Sequence, residues 1–243
     1  MATEIEARKT PITKSQAIEA LWKGWLAYFG GVPTPGCIQI VCAQWAIETG
    51  WGKSMWNYNM GNAKSREGDG FDYQFFACNE LLKTSYAQAL QKADPKGARI
   101  QSVRSDGFAW IWFYPPHPAS RFRAFHSAEE GAADHISLLA RRFPTAIVSA
   151  MQGDARGYAH QLKVCGYYTA DESQYAAGLL GCLKGIQELG IDYEALPQFS
   201  RDEMERINNV LALSLQTSID EQHLVRHFDF NDEAPDTQRN PQV

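Results

Sequence analysis

Apolar residues recur along this chain with two different periods. From residue 18 they fall at helical spacing, at Ile18, Leu21, Trp22, Trp25 and Phe29. Thr13-Lys14-Ser15-Gln16 precedes them as a capping box, and Gly30-Gly31 closes the helix. Thr34 followed by Pro35 reads as an N-cap with proline at the first helical position. Ile38, Val41, Cys42 and Trp45 form one face of that second helix, and Gly50 is its stop. Residues 51–70 are rich in Gly, Asn and Ser and predict a loop.

The pattern then changes. FDYQFFAC over 71–78 predicts a strand. Residues 83–93 predict a short helix that ends at the turn Asp94-Pro95-Lys96-Gly97. Segments 98–104 and 108–114 flank Ser105-Asp106-Gly107 as the arms of a hairpin. The second arm, FAWIWFY, is apolar on both faces, so one side is a candidate ligand surface. Helical spacing returns after Ser127-Ala128-Glu129-Glu130, a capping box opening a helix to about Phe143. Further helices are expected over 154–164, from Asp171 to about Leu189, and from Ser200 onward. The last carries Met204, Ile207, Leu211 and Leu215 on one stripe. Helices, a small β insertion, then helices again make an α+β class with a helical majority.

Composition narrows the function classes. The 243 residues are 44% hydrophobic, enough for a packed core, and no apolar run approaches the ~20 residues of a membrane span. The net charge of −5 argues against nucleic acid as a partner. Its distribution says more. Residues 200–243 carry 4 basic and 9 acidic side chains, so the body is neutral and the acidic balance is C-terminal. Five cysteines, at 37, 42, 78, 165 and 182, include no CxxC pair and read as buried free thiols. His223 and His227 read as a surface pair, so neither a metal site nor a cofactor is expected. The first residues show no apolar signal region, so synthesis in the cytoplasm without a signal peptide is expected.

The chemistry concentrates in residues 43–64, AQWAIETGWGKSMWNYNMGNAK. Glu48 lies three residues after Trp45, on the apolar face of the second helix and in its last turn. Burial and the negative end of the helix dipole both favour the protonated carboxyl there. Such an acid is what glycosidic cleavage requires of a general acid. Taken without its neighbours, Glu48 is equally a helix-terminal acid bonded to the following loop. The loop shifts the balance. Trp51, Trp56, Asn57, Tyr58, Asn59 and Asn62 combine aromatic faces that stack on sugar rings with amides that bond hydroxyl and N-acetyl groups. Some of these tryptophans are expected in the core.

These residues carry a resemblance. Ala43–Lys64 resembles the catalytic signature of the lysozyme superfamily, and in particular the glucosaminidase-type peptidoglycan hydrolases of glycoside hydrolase family 73. The matching elements are Glu48-Thr49-Gly50-Trp51-Gly52-Lys53-Ser54 and Asn57 through Lys64. Next come Arg121-Phe122-Arg123-Ala124-Phe125 with the helix after Ser127, then Gly166-Tyr167-Tyr168-Thr169 and Tyr175. They occur in family order over roughly 13–190. The loop departs from the family at Asn59-Met60-Gly61-Asn62, which lacks the usual Phe-Gly pair, and the stretch from Glu80 to Arg121 is longer than typical.

The resemblance implies a lysozyme-like α+β fold, mostly helical, with a small antiparallel β-lobe. Together with the composition it divides the chain into a flexible N-terminus over 1–12, a catalytic domain over 13–195 with its β-lobe at about 67–125, and, outside the resemblance, a C-terminal helix with an acidic, disordered tail over 196–243. It implies Glu48 as the general acid and Glu80 as the second carboxylate, with Asp72, Asp106 and Glu67 as rivals. Trp51, Tyr58, Asn59, Arg121, Phe122 and Tyr167 would line or support the substrate groove. The implied activity is cleavage of the β-1,4-linked N-acetylglucosamine and N-acetylmuramic acid backbone of peptidoglycan. Runner-up readings are a lytic transglycosylase and a non-catalytic murein-binding module. Such a protein would reach the wall or periplasm by export, injection or lysis, as a phage endolysin or a secreted antibacterial effector. An immunity protein or a secretion carrier would then be a partner.

Overall fold

The computed structural model describes residues 2–168, 171–196 and 199–225. Two helices open the chain, α1 (Lys14–Phe29) and α2 (Pro35–Thr49). The β-lobe follows: β1 (Tyr73–Phe75), β2 (Cys78–Lys83), α3 (Thr84–Ala93), β3 (Ala98–Val103), β4 (Phe108–Phe113), a 3₁₀ turn at Pro118–Ser120, and β5 (Arg121–Arg123). Five helices close it: α4 (Ala128–Arg142), α5 (Pro144–Met151), α6 (Ala155–Val164), α7 (Glu172–Gln187) and α8 (Arg201–Val225). This is the mostly helical α+β architecture with a small antiparallel β-lobe that the pattern predicts.

Local chemistry sets the helix ends. The Thr13 hydroxyl accepts from Gln16 N at 3.2 Å while the Gln16 side chain accepts from Thr13 N at 2.8 Å, a complete capping box. Thr34 accepts from Cys37 N ahead of Pro35. Gly30 and Gly50 end α1 and α2 in the left-handed conformation, at φ 68° and 56°. The Ser127 box is different. Its hydroxyl caps Glu130 N at 3.2 Å, but the Glu130 carboxylate accepts from His126 N, one residue earlier.

The main core lies between α1, α2, α4 and the α5–α7 group. Ile18, Leu21, Ile38, Ile40, Trp45, Met55, Met60, Ile136 and Tyr158 are fully enclosed in it. Helix α2 is buried on most sides. Ile40, Ala43 and Ala46 are buried alongside the predicted face of Ile38, Val41, Cys42 and Trp45, because α1, α5 and α7 surround it. Helix α1 meets α4 closely at Gly24, where a Cβ would stand 2.9 Å from the Ala132 carbonyl carbon. Gly131 similarly admits the Tyr58 carbonyl oxygen, which would lie 1.8 Å from an added Cβ. The loop after α2 therefore depends on a bare helix face.

The β-lobe holds a three-stranded antiparallel sheet in the order β2-β4-β3 and a separate β1-β5 pair. Helix α3 covers one face of the larger sheet through Leu82, Ala87, Ala98, Ala109, Ile111 and Phe113. The strand predicted over 71–78 is two strands. β1 pairs with β5, β2 pairs with β4, and the chain switches sheets at Phe76-Ala77. Phe76 N bonds Ser120 O at the switch. Apolar and polar residues alternate from Phe71 to Phe75, and the alternation stops at Phe76 where the chain leaves the first sheet. Glu80, expected just after a strand, lies inside β2.

Both ends of the described chain pack on the body. Residues 3–10 are not a loose leader. They lie along the β-lobe and the loop as a strap, with Ile5 N on Tyr73 O (2.7 Å), Tyr73 N on Thr3 O (3.0 Å), Thr10 N on Met55 O (3.1 Å) and Asn57 N on Arg8 O (2.9 Å). Helix α8 joins the body through its apolar stripe. It packs on α4 and α1, burying Ile207, Val210, Leu211 and Ser214 at i, i+3, i+4 and i+7, whereas Leu215 is 47% exposed. The acidic tail over 229–243, His227 and Thr169 lie outside the described residues. The thiols also differ from expectation: Cys37 and Cys42 are buried, Cys78 and Cys182 are half-buried, and Cys165 is exposed. No helix among the described residues is long and apolar enough to cross a membrane.

Candidate active site

Glu48 sits half-buried in the last turn of α2. The helix end is locked around it. The Thr49 hydroxyl donates to Trp45 O at 2.6 Å and accepts from Gly52 N at 2.9 Å. Gly50 and Trp51 both take positive φ, and Trp51 N returns to Ala46 O at 2.9 Å. The chain therefore turns sharply away and leaves the Glu48 side chain at the rim of the helical core. Asn62 closes the loop by donating to the Glu48 carbonyl oxygen at 3.2 Å.

Tyrosines face the acid from α6, α7 and the turn between them. Burial pushes the Tyr158 phenol well above its ordinary range, and nearby Tyr167, Cys37 and Glu48 push it the same way. Burial does the same for Tyr175, with Glu48 the next contributor. Both therefore remain neutral phenols at physiological pH. Tyr158 donates to Gln44 Oε1, one turn before Glu48 on α2. The Tyr175 ring stacks on Tyr168 at 3.8 Å, and Tyr167 meets Phe143 edge-on at 5.1 Å.

The second candidate acid is on β2. Glu80 is 8% exposed, and its Oε1 lies 2.8 Å from Lys64 Nζ. The Lys64 ammonium also donates to Ala119 O and sits 4.0 Å over the Phe122 ring. The Phe122 ring stacks on Phe76 at 4.1 Å, and Phe76 stacks on Trp56 at 5.1 Å. The loop over 51–64 thus starts at the helix end carrying Glu48 and finishes at the cation facing Glu80. Among the described residues no cluster of His, Cys, Asp or Glu could hold a metal ion.

An acid at a helix end, walled by neutral tyrosines and joined by one loop to a strand carboxylate, suits the cleavage of acetal linkages. Comparison with protein families agrees. The Glucosaminidase family model, described as mannosyl-glycoprotein endo-beta-N-acetylglucosaminidase, matches residues 37–188. The chain belongs to this glucosaminidase family. Neither the curated proteins nor the solved structures give a match. The match runs from the first turn of α2 to the end of α7, so α1 and α8 complete the core from outside it. The glucosaminidase is accordingly a glycoside hydrolase acting on peptidoglycan.

Within the glucosaminidase the remaining predicted residues fall into distinct places. Tyr167 is beside the Glu48 tyrosines. Trp51 packs on the helical core with the Lys14 ammonium 4.1 Å over its ring. Tyr58 packs on Phe71 and Phe125, and its N–H donates to Thr10 Oγ1. Arg121 lies 3.7 Å over the Tyr73 ring, on the β1-β5 pair. Asn59 is 2% exposed and folds the loop. Its amide donates to Ala63 O (2.9 Å) and Arg123 O (3.0 Å), and its oxygen accepts from Ala63 N (2.7 Å). Phe122 is likewise buried in the aromatic stack and supports Lys64.

The rival acids are engaged elsewhere. Asp72 bonds Thr3 N and His126, Asp106 pairs with Arg104, and Glu67 is exposed. Sequence reasoning missed Lys64 as the partner of Glu80, and Tyr158 with Gln44 behind the acid. A lysine closing a polar loop reads as solvated, so only its terminal position in the family-like segment hinted at more.

Proposed function

We propose that this glucosaminidase is a β-N-acetylglucosaminidase that cuts the β-1,4-linked backbone of N-acetylglucosamine and N-acetylmuramic acid by general acid catalysis. The observation that carries this reading is Glu48, half-buried at the C-terminal end of α2 against neutral tyrosines. The helix end holds that carboxyl at the rim of the core, where a proton donor to a bound sugar would stand. Glu48 gives its proton to the glycosidic oxygen as the C–O bond breaks. Positive charge develops on the sugar ring and is stabilised by the Glu80 carboxylate or by the substrate's own acetamido oxygen. Water then adds at the anomeric carbon and its proton returns to Glu48.

One observation favours a second reading. Glu80 faces Lys64 at 2.8 Å, so its carboxylate already has a cationic partner. A lytic transglycosylase needs a single acid and forms an anhydro end from the substrate's own hydroxyl. Mass spectrometry of fragments released from purified cell walls separates the readings. Reducing N-acetylglucosamine ends support the glucosaminidase bond, and reducing N-acetylmuramic ends or anhydro ends overturn it.

For delivery we propose a phage endolysin or a secreted antibacterial effector that acts on the wall after injection or lysis. An immunity protein or a secretion carrier would be its partner in the effector case. Directing the protein to the periplasm should then be toxic while cytoplasmic expression is not. Equal harmlessness in both compartments would count against this.

A further inference from the structure

Strand β4 is paired on both sides, so its side chains alternate between the two faces of the sheet. Ala109, Ile111 and Phe113 enter the small core under α3. Phe108, Trp110 and Trp112 point the other way, each only half-buried, and Tyr114 continues the row at 36% exposure. Register puts Lys83 opposite Phe108, Leu81 opposite Trp110, and both Asn79 and Arg99 opposite Trp112. These residues share the face. Four aromatic side chains in a row, none of them fully buried, exceed what the folding of this sheet needs, and patches of this kind mark interaction sites.

The rings are fixed in place. Trp112 Nε1 donates to Gln101 Oε1 at 2.8 Å. The Trp112 and Tyr114 ring centroids lie 6.2 Å apart with planes 23° from parallel, a loosely stacked pair. The Arg99 guanidinium lies over the Tyr114 ring, 5.5 Å from its centroid. Preset aromatic rings bordered by amides match the C–H faces and acetamido groups of N-acetylated pyranoses. Charge fits as well. Lys83 and Arg99 share this face, and none of its strand positions carries a carboxylate. Murein carries carboxylates on its lactyl groups and stem peptides. A second copy adding a strand at β3 is disfavoured, because that edge bears Arg99 and a register irregularity between Ile100 and Ser102.

We propose that the Phe108, Trp110, Trp112 and Tyr114 face is a binding platform for the peptidoglycan glycan strand, on the face of the sheet opposite the one that bears Glu80. It rests on peptidoglycan as substrate and not on either acid's role. It holds the polymer while the helical rim carries the chemistry, so it acts on retention at the wall rather than on bond cleavage.

Co-sedimentation of the full chain with purified sacculi tests this. The Glu48→Gln background keeps the wall intact during the measurement. Adding Trp110→Ser with Trp112→Ser should weaken retention at least tenfold. Arg99→Glu with Lys83→Glu changes only exposed positions, and should weaken retention several-fold while leaving the melting temperature unchanged. Unaltered retention in the charge-reversal protein, or in a tryptophan variant with a native circular dichroism spectrum, would overturn the platform. A fall in molar mass by light scattering on removing the tryptophans would also overturn it, by assigning the face to self-association. Retention needs no turnover. Loss of retention in a parent that releases no fragments would leave the platform standing and sink the glycosidase reading alone.

Discussion

Lys64 Nζ stands 2.8 Å from Glu80 Oε1 while the same ammonium lies 4.0 Å over the face of Phe122. One cation thus ties the end of the catalytic loop to the strand carboxylate and to the aromatic stack. Replacing it with methionine keeps the stem and removes the charge. Glu80 is then left nearly enclosed without its cation, which costs about 1–3 kcal/mol. Lys64→Met should show that loss in urea unfolding together with at least a tenfold fall in wall hydrolysis. A variant with parental stability and parental rate would mean that the pair does neither job.

Asn59 fastens the loop from inside, with three hydrogen bonds that water cannot replace. Asn59→Ala should lower unfolding stability by about 2–4 kcal/mol. Activity should fall because the loop spans both candidate acids. Loss of activity at unchanged stability would instead make Asn59 a substrate contact.

Helix α8 closes the core over α4. Ser214 donates to Asp134 at 2.5 Å, and Asp134 in turn pairs with Arg123 at 2.6 Å on β5. Ending the chain at residue 199 exposes Ala133 and leaves that buried pair open to water, so the truncated protein should lose cooperative thermal unfolding. Deleting only 229–243 should leave wall hydrolysis intact. Two truncations of equal effect would contradict this division.

Acid sensitivity should reside at the α8 start. Hydrogen bonds from Ser200, and then from Lys23, bring the Glu203 carboxyl down from the ordinary 4.5 to about 2. Burial alone would lower Lys23, but its bonds to Glu203 and Glu19 outweigh that and leave it raised. A depressed carboxyl stabilises the fold fully above pH 4.5, and the contribution disappears as pH falls toward 2. Glu203→Gln should therefore cost about 1 kcal/mol at pH 7, because the pair is partly screened by solvent. In melts taken across pH, the gap to the parent should close between 4.5 and 2. A gap that widens on acidification would reverse the assignment.

The legible parts of the fold were those written in local chemistry. Thr13, Thr34, Ser127, Asp171 and Ser200 each precede a helix because their oxygens meet free backbone N–H groups nearby in sequence. Glu48 was legible for the same reason, since a glycine-terminated apolar helix fixes where its last acid stands. The strap over 3–10 was not legible. It is held largely through backbone groups, which leave no mark on composition. The packing face of α8 was legible in part: Ile207 and Leu211 of the predicted stripe are buried, whereas Leu215 gives way to Val210 and Ser214. Asn59 and Asn62 look alike in sequence, yet one folds the loop and the other reaches back to the Glu48 carbonyl. Only long-range geometry separates them.

The rate of muropeptide release by Glu48→Gln tests the central claim most directly. Glutamine keeps the shape of the side chain and cannot give up the proton. If Glu48 is the general acid, release from purified cell walls should fall by about 10²–10⁴-fold with the melting temperature unchanged. Release within a fewfold of the parent would show that another group supplies the proton.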